Sequence, residues 1–286
     1  MELCNINHIK PLLARHGFHF SKSMGQNFLI APWVPQQIAE GAGLDENTGV
    51  LEIGPGIGCL TEQLSKRAGK VLAIELDKGL ENVLGETLSE FENIKVIFGD
   101  ALKLDLKKLA AEEFGTLKPV VCANLPYNVT SPLISAFLEA GCFDSMTIMV
   151  QREVARRICS VAGESDYGAF TVYVNWYAET EILFDVSPSC FVPRPKVWSS
   201  VIKLRSRKAP PAQVSDEALF FRIVRAAFNQ RRKTLANALS AGLPEITKEE
   251  ILKAMELCGM EEKVRGEVLD IKGFAELTNE ISKMMA

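Results

Sequence analysis

Five short runs in the first 150 residues are apolar at nearly every position: 49–54, 70–76, 94–98, 119–123 and 146–150. Helical spacing fills the gaps, over 59–67, 78–91 and 132–140, the last with Pro132 near its first turn. Strands apolar on both faces and separated by helices belong to a parallel sheet covered on each side. The expectation is an α/β fold, a mostly parallel doubly wound sheet of Rossmann-like type. Such sheets bind ligands beyond the carboxyl ends of their strands. The chemistry is therefore expected after Ile53, Ile74, Phe98 and Ala123.

Past Val150 the pattern changes. Helical spacing covers 153–159 and 169–178, and 182–186 and 200–204 read as late strands. Residues 205–215 look like a linker, and 216–286 contain only helical signals, punctuated by Gly242, Pro244 and Gly273. The expected division is an α/β domain over 1–207 and a small all-helical domain over 208–286.

The first run ends in Gly54-Pro55-Gly56-Ile57-Gly58, between an expected strand and an expected helix. Glycines there let the backbone turn sharply and approach a ligand closely. The third glycine comes two residues after the second, so this is not the dinucleotide fingerprint. No Lys-Ser/Thr pair follows, which also excludes a P-loop. Glu75 closes the second run, where an acid can accept both hydroxyls of a ribose. Asp100 follows the third and can accept from an adenine amino group. Glycine turn and acids together describe a pocket for a nucleoside without phosphates, one that favours a cationic substituent.

Asn124-Leu125-Pro126-Tyr127 closes the fourth run. The lone pair of an exocyclic purine amine is delocalised into the ring, so the amine is a poor nucleophile. Two acceptors aimed at its N–H groups favour a localised lone pair. The Asn124 side-chain oxygen and the Leu125 carbonyl can be those acceptors, and Pro126 fixes the turn. Tyr127 offers a flat face for stacking. Phe191, in the second proline-rich aromatic loop (191–195), is expected to close the other face of the base.

Seven cysteines, an odd number with no metal-ligand spacing, read as buried free thiols of a reducing compartment. No metal site is expected, and His8, His16 and His19 receive no catalytic role. No apolar run is long enough to span a membrane. The expected location is the cytoplasm. The net charge of −4 argues weakly against a nucleic-acid partner. Its distribution argues the other way: between Lys203 and Lys233 the only acids are Asp216 and Glu217. Lys203, Arg205, Arg207 and Lys208 form one basic cluster; Arg222, Arg225, Arg231, Arg232 and Lys233 form another. Grouped cations of this kind are expected to meet RNA phosphates.

These segments, with 23–29, 149–154, 191–197 and 227–235, resemble the bacterial small-subunit (16S) ribosomal RNA adenine N6,N6-dimethyltransferases, the KsgA/RsmA family. The resemblance implies a class I methyltransferase fold and S-adenosylmethionine as cofactor. It implies dimethylation of two adjacent adenosines in the 3′-terminal hairpin of 16S rRNA, within an immature small subunit. By match, Asn27 and Leu29 join Gly54, Gly56, Glu75, Asp100 and Asn124 as cofactor contacts; by pattern alone 25–29 reads as a loop. The family usually has proline where Arg194 stands and a small polar or acidic residue where Trp198 stands, and Arg194 is expected to add a phosphate contact. The alternatives are a large-subunit rRNA adenine methyltransferase and a non-catalytic ribosome-assembly or nucleic-acid-binding factor on the same fold.

Overall fold

The computed structural model describes residues 2–18 and 26–285. Ser23, Met24 and Gly25 of the first matching segment, and His19, lie outside the described residues. In chain order the elements are α1 (Ile6–Arg15), β1 (Phe28–Leu29), α2 (Trp33–Ala42), β2 (Thr48–Ile53), α3 (Cys59–Ser65) and β3 (Lys70–Glu75). There follow α4 (Glu81–Thr87), β4 (Ile94–Phe98), α5 (Leu106–Phe114), β5 (Lys118–Asn124), α6 (Thr130–Ala140) and β6 (Ser145–Gln151). The chain continues through α7 (Arg152–Cys159), α8 (Ala169–Tyr177), β7 (Ala178–Val186), β8 (Phe191–Val192) and β9 (Ser199–Ser206). It ends in α9 (Glu217–Asn229), α10 (Leu235–Gly242), α11 (Lys248–Leu257) and α12 (Ile271–Met285).

The main sheet has the order β4-β3-β2-β5-β6-β9-β7. β2 pairs in parallel with both β3 and β5, β3 with β4, and β5 with β6, whereas β9 runs antiparallel to β6. The chain winds outward from β2 to β4 and then returns to place β5 on the other side of β2. That reversal opens a crevice at the carboxyl ends of β2 and β5. Every residue of β2 is buried, as a central parallel strand requires. The layer over it joins Val34, Ile38, Leu60 and Leu64 from α2 and α3 to Val50, Val71 and Val120 from the sheet.

Residues 28–29, read as a loop from pattern, form β1. Phe28 pairs antiparallel with Val192 and Leu29 with Phe191 in β8. A two-residue strand is too short to show a period, and its partner lies far along the chain. Helix α5, capped by Asp105 accepting from the Lys108 N–H at 2.9 Å, has no counterpart among the sequence expectations.

The chain divides into two compact units, 1–155 with 179–206, and 156–178 with 207–286. The second unit resumes at Arg207, beside the expected boundary, but 156–178, expected in the first domain, belongs with the C-terminal helices. The reason is aromatic packing. Trp176 of α8, 1% exposed, meets Phe220 of α9 with ring centroids 4.3 Å apart. Tyr167 donates its hydroxyl to the Leu269 carbonyl at 2.9 Å. Two capped helices frame this unit: Asp216 accepts from the Leu219 N–H, and Thr247 and Glu250 form a reciprocal capping box. All seven cysteines are free, and Cys4, Cys59, Cys122 and Cys190 are buried. Among the described residues no helix is long and apolar enough to cross a membrane.

Candidate functional site

A cavity of about 260 Å³ opens at the carboxyl ends of β2 to β5. Its wall includes Asn27, Leu29, Gly54, Gly56, Glu75 and Asp100, and the whole of Asn124 to Tyr127. Four turns that are remote in sequence thus meet on one sheet edge.

The glycine turn is built as its composition requires. Gly54, Gly56 and Gly58 all have positive φ, at 70°, 61° and 92°. A Cβ on Gly56 would stand 3.2 Å from the Phe28 ring, so β1 presses directly on the turn. The Gly54 N–H continues the ladder to the Ile74 carbonyl at 2.9 Å. Glu75 then fixes the turn from the next strand. One of its oxygens accepts from the Gly56 N–H at 3.2 Å and the other from the Asp77 N–H at 2.9 Å. Burial raises the Glu75 carboxyl above its ordinary pKa, and these backbone donors oppose the rise. Each oxygen keeps a lone pair for a ribose hydroxyl.

Asp100 caps the turn at 101–103, accepting from the Leu102 N–H at 3.1 Å, with Lys103 at 3.7 Å from its other oxygen. Two leucines missed by sequence reasoning complete this side: Leu76 is 58% exposed and Leu102 41%, both on the cavity wall. They stand directly beside the strand-end acids, and that position is the signal that identifies them. Exposed apolar side chains here suit the faces of a purine.

Glu52 was also missed. It sits mid-strand in β2, 1% exposed, on the cavity floor, and its Oε2 has no hydrogen-bond partner. Burial pushes its pKa up to about 8; a contact with Thr61 opposes this and the charge of Glu75 adds to it. Burial thus holds this carboxyl in its neutral form, with one oxygen unused beneath the pocket. The native protein keeps a proton that the unfolded chain gives up near its ordinary value of 4.5, so stability falls as pH rises from about 4.5 to 8. Relative to Glu52→Gln, the wild type should lose on the order of a few kcal/mol across that window. Parallel curves of Tm against pH for the two proteins would exclude this.

The Asn124 loop forms the second half of the site. The Leu125 N–H pairs with the Met149 carbonyl at 3.1 Å, anchoring the loop to β6. Thr130 donates to the Pro126 carbonyl at 3.1 Å. The Asn124 carboxamide is half-buried and has no hydrogen-bond partner among the described residues. The Tyr127 hydroxyl and the Ser199 hydroxyl lie 2.6 Å apart, and burial raises the Tyr127 pKa. The ring is thereby held in one orientation at the cavity mouth.

Phe191 does not join this site. Its ring is 1% exposed and packs in the core with Leu29, Val34 and Val201. Alternation along β8, paired with β1, turns its side chain inward, so Phe191 does not stand on the second base face as expected.

The basic clusters also divide. Lys203 donates to the Gly41 and Ala42 carbonyls at 2.7 and 3.1 Å, and burial lowers its pKa. It closes the C-terminal end of α2 and is not a phosphate contact. Arg205 lies opposite Ser145, at the sheet edge away from the cavity, and pairs with Glu181 at 2.6 Å. Arg222 pairs with Glu245. Arg231 donates to the Ser165 and Tyr167 carbonyls at 2.8 and 3.3 Å. Arg194, Arg225, Arg232 and Lys233 are exposed, with no ion-pair partner among the described residues. The described residues contain no cluster of three or more side chains suited to a metal.

Comparisons with known proteins find close relatives of this chain. The family described as Ribosomal RNA adenine dimethylase matches residues 17–283. A curated relative, Ribosomal RNA small subunit methyltransferase A of Geobacillus thermodenitrificans, is 47% identical over 94% of each chain. Among solved structures, a dimethyladenosine transferase from Plasmodium falciparum aligns with TM-score 0.76 and 28% identity, over 90% of this chain and 98% of that one. The 23S rRNA methyltransferase ErmE aligns with TM-score 0.68 and 27% identity, over 90% and 100%.

Proposed function

The chain belongs to the ribosomal RNA adenine dimethylase family, and from that premise we propose that it dimethylates N6 of two adjacent adenosines in the 3′-terminal hairpin of 16S rRNA. The methyl donor is S-adenosylmethionine. The observation that carries the reading is the shared cavity: an unengaged Asn124 carboxamide opens into the same space as the doubly anchored Glu75.

Glu75 would accept the ribose hydroxyls, Asp100 would accept from the adenine amine of the cofactor, and Leu76 and Leu102 would cover its ring. Glu52 lies beneath, and a cation bound above it would draw its raised pKa back down. When bound, the cofactor supplies an electrophilic methyl group on a positively charged sulfur. The target base stacks on Tyr127, whose orientation Ser199 fixes. Its amine donates one N–H to the Asn124 side-chain oxygen and the other to the Leu125 carbonyl. Those two bonds would favour a tetrahedral nitrogen with a localised lone pair, able to accept the methyl group the cofactor would supply. Transfer then needs alignment more than a general base, and the proton leaves from the alkylated nitrogen afterwards. The same two acceptors serve the second methylation less fully, since one N–H has been replaced.

Arg194, Arg225, Arg232 and Lys233 are the cations left to meet RNA phosphates. We assign the substrate to an immature small subunit in the cytoplasm. Greater similarity to a small-subunit relative than to ErmE favours 16S over 23S rRNA. The complete Asn124 loop disfavours a binding factor without turnover. The test is to incubate the protein with labelled S-adenosylmethionine and unmodified small subunits, then map the labelled nucleosides. Label in N6,N6-dimethyladenosine near the 3′ end supports the reading; label elsewhere, or none, refutes it.

One prediction concerns the RNA surface. Replacing Arg232 and Lys233 together by alanine should weaken RNA binding and make the slope of log K against log salt shallower by roughly 1.5 to 2. Cofactor affinity should not move. Arg231 is left intact because its carbonyl contacts make it part of the fold. Binding isotherms at several salt concentrations decide; an unchanged slope removes these residues from the interface.

A further inference from the structure

We propose that Trp198 is a stacking platform for a nucleobase that flanks the target adenosine. The inference rests on the RNA reading above and adds a residue that positions and selects the substrate strand.

Trp198 is 42% exposed and its neighbour Val197 is 44% exposed. Both stand on the catalytic edge of the sheet. The register runs from Asn124 opposite Met149 to Gln151 opposite Ser199, and the Arg152 N–H then donates to the Trp198 carbonyl at 2.9 Å. β9 lies two strand spacings from β5, about 10 Å. Ser199, the next residue, holds the Tyr127 hydroxyl at 2.6 Å. Alternation along the strand turns the indole to the other face from the Ser199 hydroxyl, toward Arg152 and Asp185, so the two rings stand on opposite faces of the same sheet edge.

The indole plane is also held. The Arg152 guanidinium lies 5.2 Å from the ring centroid, and Asp185 restrains it from 3.9 Å. A ring fixed in this way loses little freedom on binding, and a base stacks on any exposed part of it whatever its identity. Charge identifies the occupant. Arg194 and Lys196, in the same loop, are exposed and have no ion-pair partner among the described residues. With Arg152 they make a cationic surround for an aromatic surface. That combination fits a single-stranded polyanion carrying flat bases.

The test uses the full chain, unmodified small subunits and labelled S-adenosylmethionine. Trp198→Ala should raise the KM for subunits about ten-fold, the loss of one base stack. The kcat, cofactor Kd and salt slope should stay within two-fold of wild type. Trp198→Phe should recover most of the affinity. Quenching of tryptophan fluorescence by an oligoadenylate should be present in the wild type and reduced in Trp198→Phe. An unchanged KM in Trp198→Ala overturns the proposal. So does a raised KM without RNA quenching, which would give the surface to a ribosomal protein. A wild type that methylates nothing would instead sink the functional reading, so the two failures are distinguishable.

Discussion

Asn124→Ala should lower kcat for methyl transfer by about 10³-fold, while RNA binding stays near wild type and cofactor binding weakens only modestly. Removing one preorganised partner from a developing charge typically costs about 10²- to 10³-fold. Asn124 is placed at the upper end for two reasons. Its carboxamide is half-buried and otherwise unengaged, so nothing nearby substitutes for it. The loop is also anchored independently, by Leu125 to Met149 and by Thr130 to Pro126, so truncating the side chain leaves the backbone in place. Single-turnover rates with saturating cofactor and subunits isolate the step. A rate within ten-fold of wild type would remove Asn124 from the chemistry. Asn124→Asp keeps an acceptor oxygen and should fall between the two.

Glu75→Ala should weaken cofactor binding about 100-fold or more. Hydrogen bonds to a charged group are worth about 1.5 to 3 kcal/mol each, and Glu75 is placed to make two. The substitution also orphans the Gly56 and Asp77 N–H groups, which loosens the glycine turn. The two contributions separate in the measurement. Calorimetry with S-adenosylhomocysteine reads the affinity, and kcat at saturating S-adenosylmethionine reads the geometry. We expect kcat within about three-fold of wild type. An unchanged Kd would show that the ribose is held elsewhere.

These two side chains were legible in the sequence because each stands at the end of an apolar run, and the strand period places it on one edge. Glu52 was not legible. It occupies the same strand as Ile53, and pattern alone reads it as one polar residue within a buried run. Only the cavity beneath the turn shows that Glu52 lines the pocket. The basic clusters misled for a related reason. Lys203 and Arg205 are close to Arg207 in sequence, yet strand direction carries Arg205 away from the catalytic edge, and the end of α2 engages Lys203. Sequence proximity measures charge density along a chain, and phosphates read it on a surface.

By itself, the sequence determined the parallel sheet, the glycine turn with its acids, and the Asn124 loop. All three are encoded locally, in runs of side chains and in residues that only certain backbone turns accept. Tertiary structure alone decided that Phe191 is core, that β1 braces the glycine turn, that 156–178 joins the C-terminal helices, and which arginines remain unpaired. Those outcomes depend on contacts between segments tens to more than a hundred residues apart, and neither period nor spacing carries that information.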